Sequence, residues 1–74
     1  MIKIIDPKDP ELLKSYKCVC EILSDSEAEI VALGEEVSDG EFKLIPEPGS
    51  IAYTANLSAI YQMSPSGKWT KVSV

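Results

Sequence analysis

The chain has 74 residues and a mass of 8.1 kDa, enough for one small domain and too little for two. Twelve acidic residues against seven lysines give a net charge of −5, and the sequence contains neither arginine nor histidine. This composition argues against nucleic-acid binding, which relies on Lys and Arg, and removes the commonest general base and metal ligand. No apolar run approaches the roughly 18 residues of a membrane-spanning helix, so we expect a soluble, cytosolic domain.

The first 23 residues contain two predicted strands. Residues 1–5 form a short apolar strand that Asp6 and Pro7 end, because proline lacks an amide donor and restricts the residue before it. Residues 16–23 alternate in polarity with period two and are rich in β-branched and aromatic side chains. This pattern predicts a strand with one buried face.

Two cysteines, Cys18 and Cys20, lie on the same face of the second predicted strand. Their spacing differs from the redox motif Cys-x-x-Cys, and two thiolates alone cannot complete a four-ligand zinc site. Side chains that run parallel also cannot form a disulfide without distortion. We interpret them as two reduced, buried, small apolar residues. Half of a metal site, or a bridge to another chain, remains an open alternative.

Residues 24–40 are predicted to hold a capped helix and a turn. Two Ser-x-x-Glu sequences, starting at Ser24 and Ser26, each fit a capping box, in which the hydroxyl and the carboxylate satisfy free backbone amides. Apolar residues then follow at helical spacing, which predicts a helix over residues 27–35. The helix should end at Glu35, because a negative charge there opposes the helix dipole. Gly40 follows an Asp in a typical turn.

The acidic pairs of this region are the candidate catalytic groups. They are Glu27 with Glu29 and Glu35 with Glu36. A general-acid pair requires one carboxylate in an apolar environment, and all four have polar neighbours in the sequence. We therefore predict that the chain is not an enzyme, with no catalytic residue, no cofactor and no metal site.

Residues 41–74 read as a β-meander. A strand around Phe42 is ended by the prolines of residues 46–49, and three strands follow over residues 51–54, 59–63 and 68–74. Ser64 to Gly67 fits a type I turn, and Asn56 is the natural left-handed residue of the preceding turn. The predicted fold is α+β: a small antiparallel sheet with a C-terminal three-stranded meander and one short helix, in a single domain of residues 1–74.

Five residues of the meander are candidate contact or packing residues. Trp69 is expected opposite Tyr61 and substantially buried, since cross-strand aromatics stabilise small sheets. The last strand carries apolar residues on one face up to its end, and an open edge of this kind can pair with another chain. We therefore predict a homo-oligomer. The candidates are Tyr53, Tyr61, Trp69, Val72 and Val74.

The order of turns and aromatics in the meander resembles a hairpin of structural proteins from tailed bacteriophages and prophages. That hairpin has a glycine, a strand with an aromatic residue, an Asp or Asn turn, a strand with tyrosine, a glycine turn, and a tryptophan followed by valine. The matching positions here are Gly49, Tyr53, Asn56, Tyr61, Gly67 and Trp69. A capped helix and an Asp-Gly turn often precede it, so the resemblance covers residues 24–74.

The resemblance implies a non-enzymatic virion protein, a head or tail accessory or fibre-like protein that contacts capsid or tail proteins. It implies a location in the virion, and in the host cytoplasm during assembly, and it favours a trimer. The chain has no fibre shaft or glycine-rich linker, which favours a short accessory protein. The alternative is a small acidic regulator that binds a host or phage protein, suggested by the net charge of −5. Neither nucleic acid nor a membrane is an expected partner.

Overall fold

The computed structural model describes residues 1–9 and 16–72, which form eight strands and one helix. The strands are β1 (Lys3–Asp6), β2 (Lys17–Cys18), β3 (Glu21–Ser24), β4 (Val37–Ser38), β5 (Lys43–Pro46), β6 (Ile51–Thr54), β7 (Ile60–Met63) and β8 (Trp69–Lys71). The helix α1 (Glu27–Val31) lies between β3 and β4. The predicted α+β fold, with one short helix and a C-terminal meander of β6, β7 and β8, is confirmed.

The strands form two sheets. One has five strands in the order β1-β3-β6-β7-β8, and the other has three in the order β2-β5-β4. β3 pairs with β6, and β2 with β5, in parallel, while the remaining pairs are antiparallel. The sheets are thus mixed, which the alternation of polar and apolar residues could not reveal.

The predicted strand over residues 16–23 is divided into β2 and β3, which belong to different sheets. Cys18 pairs with Pro46 in one sheet, and Glu21 pairs with Ile51 in the other. Two residues separate Cys18 from Glu21, whereas four separate Pro46 from Ile51. Because the two segments differ in length, the ladder of paired residues is interrupted here. The amide of Cys20 donates instead to the Ser50 hydroxyl at 3.0 Å. The chain turns there from one sheet to the other.

Helix α1 begins with the second of the two predicted capping sequences. Ser26 is the N-cap, and its hydroxyl accepts from the amide of Glu29 at 3.3 Å. The Glu29 carboxylate accepts from the amide of Asp25 at 3.1 Å, one residue before the usual position. The helix ends at Val31, earlier than predicted, because the chain must leave it to place the fully buried Val37 in β4.

The meander differs from the sequence prediction at two positions. Leu57, rather than Asn56, takes the left-handed conformation with φ 58°. The Asn56 side chain instead accepts from the amide of Ser58 at 3.1 Å, which stabilises the turn from within. Trp69 lies opposite Met63, and Tyr61 lies opposite Lys71, so the predicted pairing of Trp69 with Tyr61 was wrong by two residues.

The hydrophobic core lies between the five-stranded sheet on one side and α1 with the smaller sheet on the other. Its largest fully buried apolar side chains are Ile22, Ile30, Leu44 and Val37. Trp69 is partly buried and packs against this cluster. The core therefore draws on the helix and on both sheets.

Candidate functional site

The predicted contact residues lie on two faces of the five-stranded sheet. Successive residues of a strand point to opposite faces. Tyr61 and Trp69 lie on the face that contacts the core, while Tyr53 and Val72 lie on the opposite face. Val74 lies outside the described residues. The structure therefore brings Tyr61 and Trp69 together and separates them from the other two.

Tyr61 takes part in a polar contact that joins the meander to α1. Its hydroxyl donates to Glu27 Oε2 at 2.6 Å, and Lys71 Nζ lies 2.9 Å from the same oxygen. The ammonium, and then the hydroxyl, lower the pKa of Glu27. The carboxylate in turn raises the pKa values of Tyr61 and Lys71. Strands β7 and β8 are in this way fixed to the first turn of the helix.

The other two tyrosines also donate to glutamates. Tyr53 Oη lies 2.5 Å from Glu21 Oε2 on the neighbouring strand β3, and Tyr16 Oη donates to Glu36. In each case the hydrogen bond to the carboxylate raises the pKa of the tyrosine. Sequence reasoning missed all of these contacts, because the partners are distant in the chain and neither residue type alone signals the other.

The acidic pairs singled out in the sequence have separate partners. Glu27 contacts the meander, whereas Glu29 lies 2.7 Å from the Met1 ammonium and 2.6 Å from the Ser24 hydroxyl. These contacts, the ammonium first, lower the pKa of Glu29 to about 2. Glu36 accepts from Tyr16. Each of these three carboxylates therefore takes part in a contact within the fold.

The two cysteines form no disulfide and lie in different surroundings. Cys20 is buried, and burial raises the pKa of its thiol to about 11. Cys18 is half-buried. In the described part of the chain, no group of three or more Cys, Asp or Glu side chains is placed to hold a metal ion. The high pKa makes Cys20 a weak nucleophile and a poor metal ligand at neutral pH, since both roles require the thiolate.

An open groove with a volume of about 710 Å³ lies beside Trp69. Its walls come from the end of α1, from β5 and β7, and from the turn before β8. The charged residues along it are Lys17, Glu35, Glu47 and Lys68. Trp69 Nε1 is buried and finds no hydrogen-bond partner among the described residues. A buried indole N–H without an acceptor costs stability, so Trp69 is not held by polar contacts.

Strand β8 forms one edge of the five-stranded sheet. In the described ranges, β7 is the only strand that pairs with it. The chain leaves this edge through Val72, whose side chain is 56% exposed. An unpaired strand edge with an exposed apolar side chain is a typical site for contact with another chain.

Comparison with known protein families, curated proteins and solved structures finds no match to this chain. Among the described residues there is also no helix long and apolar enough to cross a membrane. The groove and the open edge of β8 both include Trp69.

Proposed function

We propose that this chain is a non-enzymatic structural or accessory protein of a phage or prophage virion, which acts in head or tail assembly through protein–protein contacts. It would assemble in the host cytoplasm as a homo-oligomer and remain in the virion. Two observations support the proposal. One is the resemblance of residues 24–74 to virion proteins, and the other is the contact surface at the end of the meander.

The observation that carries the proposal is the unpaired edge of β8. The strand is joined to β7 by backbone hydrogen bonds and contacts α1 through Lys71 and Glu27 at 2.9 Å. Its outer edge is nevertheless open in the described chain, with Val72 exposed beside it. A strand that is rigid on one side and unpaired on the other is suited to add a further strand, which is a common mode of protein recognition.

The test is recovery of the chain from purified virions. Particles from a strain that carries the gene are isolated by density gradient, and the chain is measured by quantitative mass spectrometry against the main capsid and tail proteins. We expect a fixed ratio to one of them. Absence from the particles would contradict the proposal, and capture of a single soluble host protein instead would favour the small acidic regulator.

Two variants test whether incorporation into the particles depends on the edge of β8. Val72 and Val19 are both 56% exposed, but only Val72 follows β8. Val72→Lys adds a charge at the edge, and lysine there is a common means of preventing strand addition. We expect this variant to be lost from the particles while Val19→Lys is incorporated normally. Equal incorporation of the two variants would remove the edge from the proposal.

A further inference from the structure

The hydrogen bonds of β8 define which of its backbone groups are available to another chain. The amide of Ser64 donates to the carbonyl of Lys68 at 2.9 Å, and the amide of Val72 donates to the carbonyl of Ile60 at 2.8 Å. Backbone groups alternate in direction along an antiparallel strand. The N–H and C=O groups of Trp69 and Lys71 therefore point away from β7, toward the open edge.

We infer that a second copy of this chain binds at this edge, with the two β8 strands antiparallel about a two-fold axis at Thr70. In this arrangement Trp69 lies opposite Lys71 of the partner subunit, and Lys71 lies opposite the partner subunit's Trp69. Each opposed pair exchanges two backbone hydrogen bonds, so all four outward N–H groups of the two strands are satisfied. The five-stranded sheets then become continuous across the dimer, and the interface is isologous.

The side chains favour a two-fold axis at Thr70 over an axis at Trp69 or at Lys71. An axis at Lys71 would place two lysines directly opposite each other, which is destabilising. An axis at Trp69 would place Lys71 opposite Gly67, which belongs to the turn and offers no side chain. An axis at Thr70 gives a Thr–Thr pair and places each Lys71 beside an indole ring, where a cation is attracted.

The opposite edge of the same sheet is less suited to pairing. Strand β1 forms that edge, and its register with β3 is irregular between Ile4 and Asp6. A bulge of this kind is a feature that prevents edge-to-edge association. The pairing of β8 with β7 has no such irregularity from Trp69 to Lys71. The straight edge, rather than the interrupted one, is therefore the surface that accepts the second copy.

The inference deepens the proposed contact function by naming its partner, and rests on that function for its biological use. The two can fail separately. Dimerisation is measured on the purified chain in solution, whereas the virion assignment is measured on particles. A chain that dimerises but is absent from virions would contradict the virion assignment and leave the dimer in place. A virion protein that is a monomer in solution would contradict the dimer, and with it the proposed homo-oligomer, but would leave the virion assignment in place.

The first test compares Lys71→Pro with Lys71→Ala in sedimentation equilibrium. Both variants lose the ammonium, but only proline removes the N–H that points to the edge, and neither alters the hydrogen bonds to β7. The wild-type chain should form a reversible species with twice the 8.1 kDa chain mass. Because two hydrogen bonds per dimer are lost, Lys71→Pro should dimerise about 30-fold more weakly than Lys71→Ala.

A monomeric wild-type chain at concentrations well above micromolar would overturn the inference, as would a trimer or equal dimerisation of the two variants. A second test applies if Lys71→Pro does not fold. Thr70 and Gln62 lie opposite each other on β8 and β7, and both are exposed. Thr70→Cys therefore places a thiol at the two-fold axis. Gln62→Cys places a thiol on the same face of the sheet, one strand away from the axis.

Oxidised glutathione is the oxidant in this second test. Opposed residues at a non-hydrogen-bonded position lie about 4.5 Å apart between Cα atoms, a distance that a disulfide can span. Thr70→Cys should therefore form a covalent dimer readily, with the electrons passing to glutathione, and Gln62→Cys should not. The native cysteines are present in both variants. Equal crosslinking of the two variants, or none in Thr70→Cys, would contradict the two-fold axis at Thr70.

Discussion

The C-terminal meander and the two parallel strand pairs depend on different kinds of sequence information. In the meander each strand pairs with the next strand of the chain, and local turns determine the register. The last of these turns is closed by a bond from the Gly67 amide to the Ser64 carbonyl at 2.9 Å. In the parallel pairs, β3 meets β6 and β2 meets β5, so helix α1 and strand β4 lie between the partners in the chain.

This difference explains which features are robust to local change. A turn sequence can be altered at one position with a limited loss, because the neighbouring strands stay close in the chain. A parallel pair has no connecting turn, and its register depends on side chains that are buried on joining distant segments. We therefore expect core substitutions in β3 to have larger effects than turn substitutions in the meander.

The largest effect is expected at Ile22, at the centre of β3. The side chain is fully buried, and Ile22→Ala should lower the free energy of unfolding by about 3–4 kcal/mol. The control is Ile51→Ala on the adjoining strand β6, where the side chain is 40% exposed and the loss should be about 1 kcal/mol or less. Urea denaturation measures both. Similar losses would contradict the placement of β3 at the centre of the fold.

A smaller effect is expected at Trp69, at the margin of the core. Because the ring is half-buried, Trp69→Ala should cost about 2–3 kcal/mol, at or below the range for fully buried tryptophan. Trp69→Phe should cost about 1 kcal/mol or less, because it also removes a buried N–H for which the described residues provide no acceptor. Urea unfolding followed by circular dichroism compares the two. A phenylalanine variant as unstable as the alanine variant would show that the indole N–H is satisfied.

The turn before β8 should respond more weakly still. Gly67 has φ 84°, and a Cβ there would meet no neighbouring atom, so the cost of Gly67→Ala, about 1 kcal/mol, comes from the backbone alone. Gly34 also has open space around its Cβ position, but its φ is not in the left-handed range. Gly34→Ala should leave the melting temperature unchanged or raise it. Equal decreases in both variants would remove the backbone explanation.

The last variant tests the polar contacts that Glu29, within α1, makes with Met1 and Ser24. The folded-state pKa of Glu29 is lowered to about 2, so its contribution to stability is fully present above its ordinary value of 4.5. That contribution is lost as the pH falls from 4.5 toward 2. Glu29→Gln should therefore be less stable than the wild type at neutral pH. On acidification the variant should lose less stability than the wild type does. If both proteins lost the same amount of stability as the pH falls from 4.5 toward 2, this account would be contradicted.

The sequence predicted the features that rest on local chemistry. The Ser26 cap, the turn at Gly67 and the order of β6, β7 and β8 each follow from residues close together in the chain. It could not predict the division of residues 16–23 into β2 and β3, because that depends on a length mismatch with a distant segment.

The candidate site was predictable to the same extent. The open edge of β8 follows from its place as the last strand of the meander, but the contact of Tyr61 with Glu27 requires knowledge of the packing. The error of two residues at Trp69 has a physical reason. The left-handed Gly67 closes a turn that brings Ser64 and Lys68 together, and this sets Trp69 opposite Met63. Turn geometry thus decides register where side-chain pairing alone does not.

Hydrogen exchange at four backbone amides tests most directly whether β8 is the contact edge. The amides of Thr70 and Val72 point to β7 and should be protected at every protein concentration. Those of Trp69 and Lys71 point outward. The account predicts that they exchange rapidly in dilute solution and become protected as the concentration rises and the dimer forms. Rapid exchange of Trp69 and Lys71 at all concentrations, in a solution where the chain is oligomeric, would contradict it.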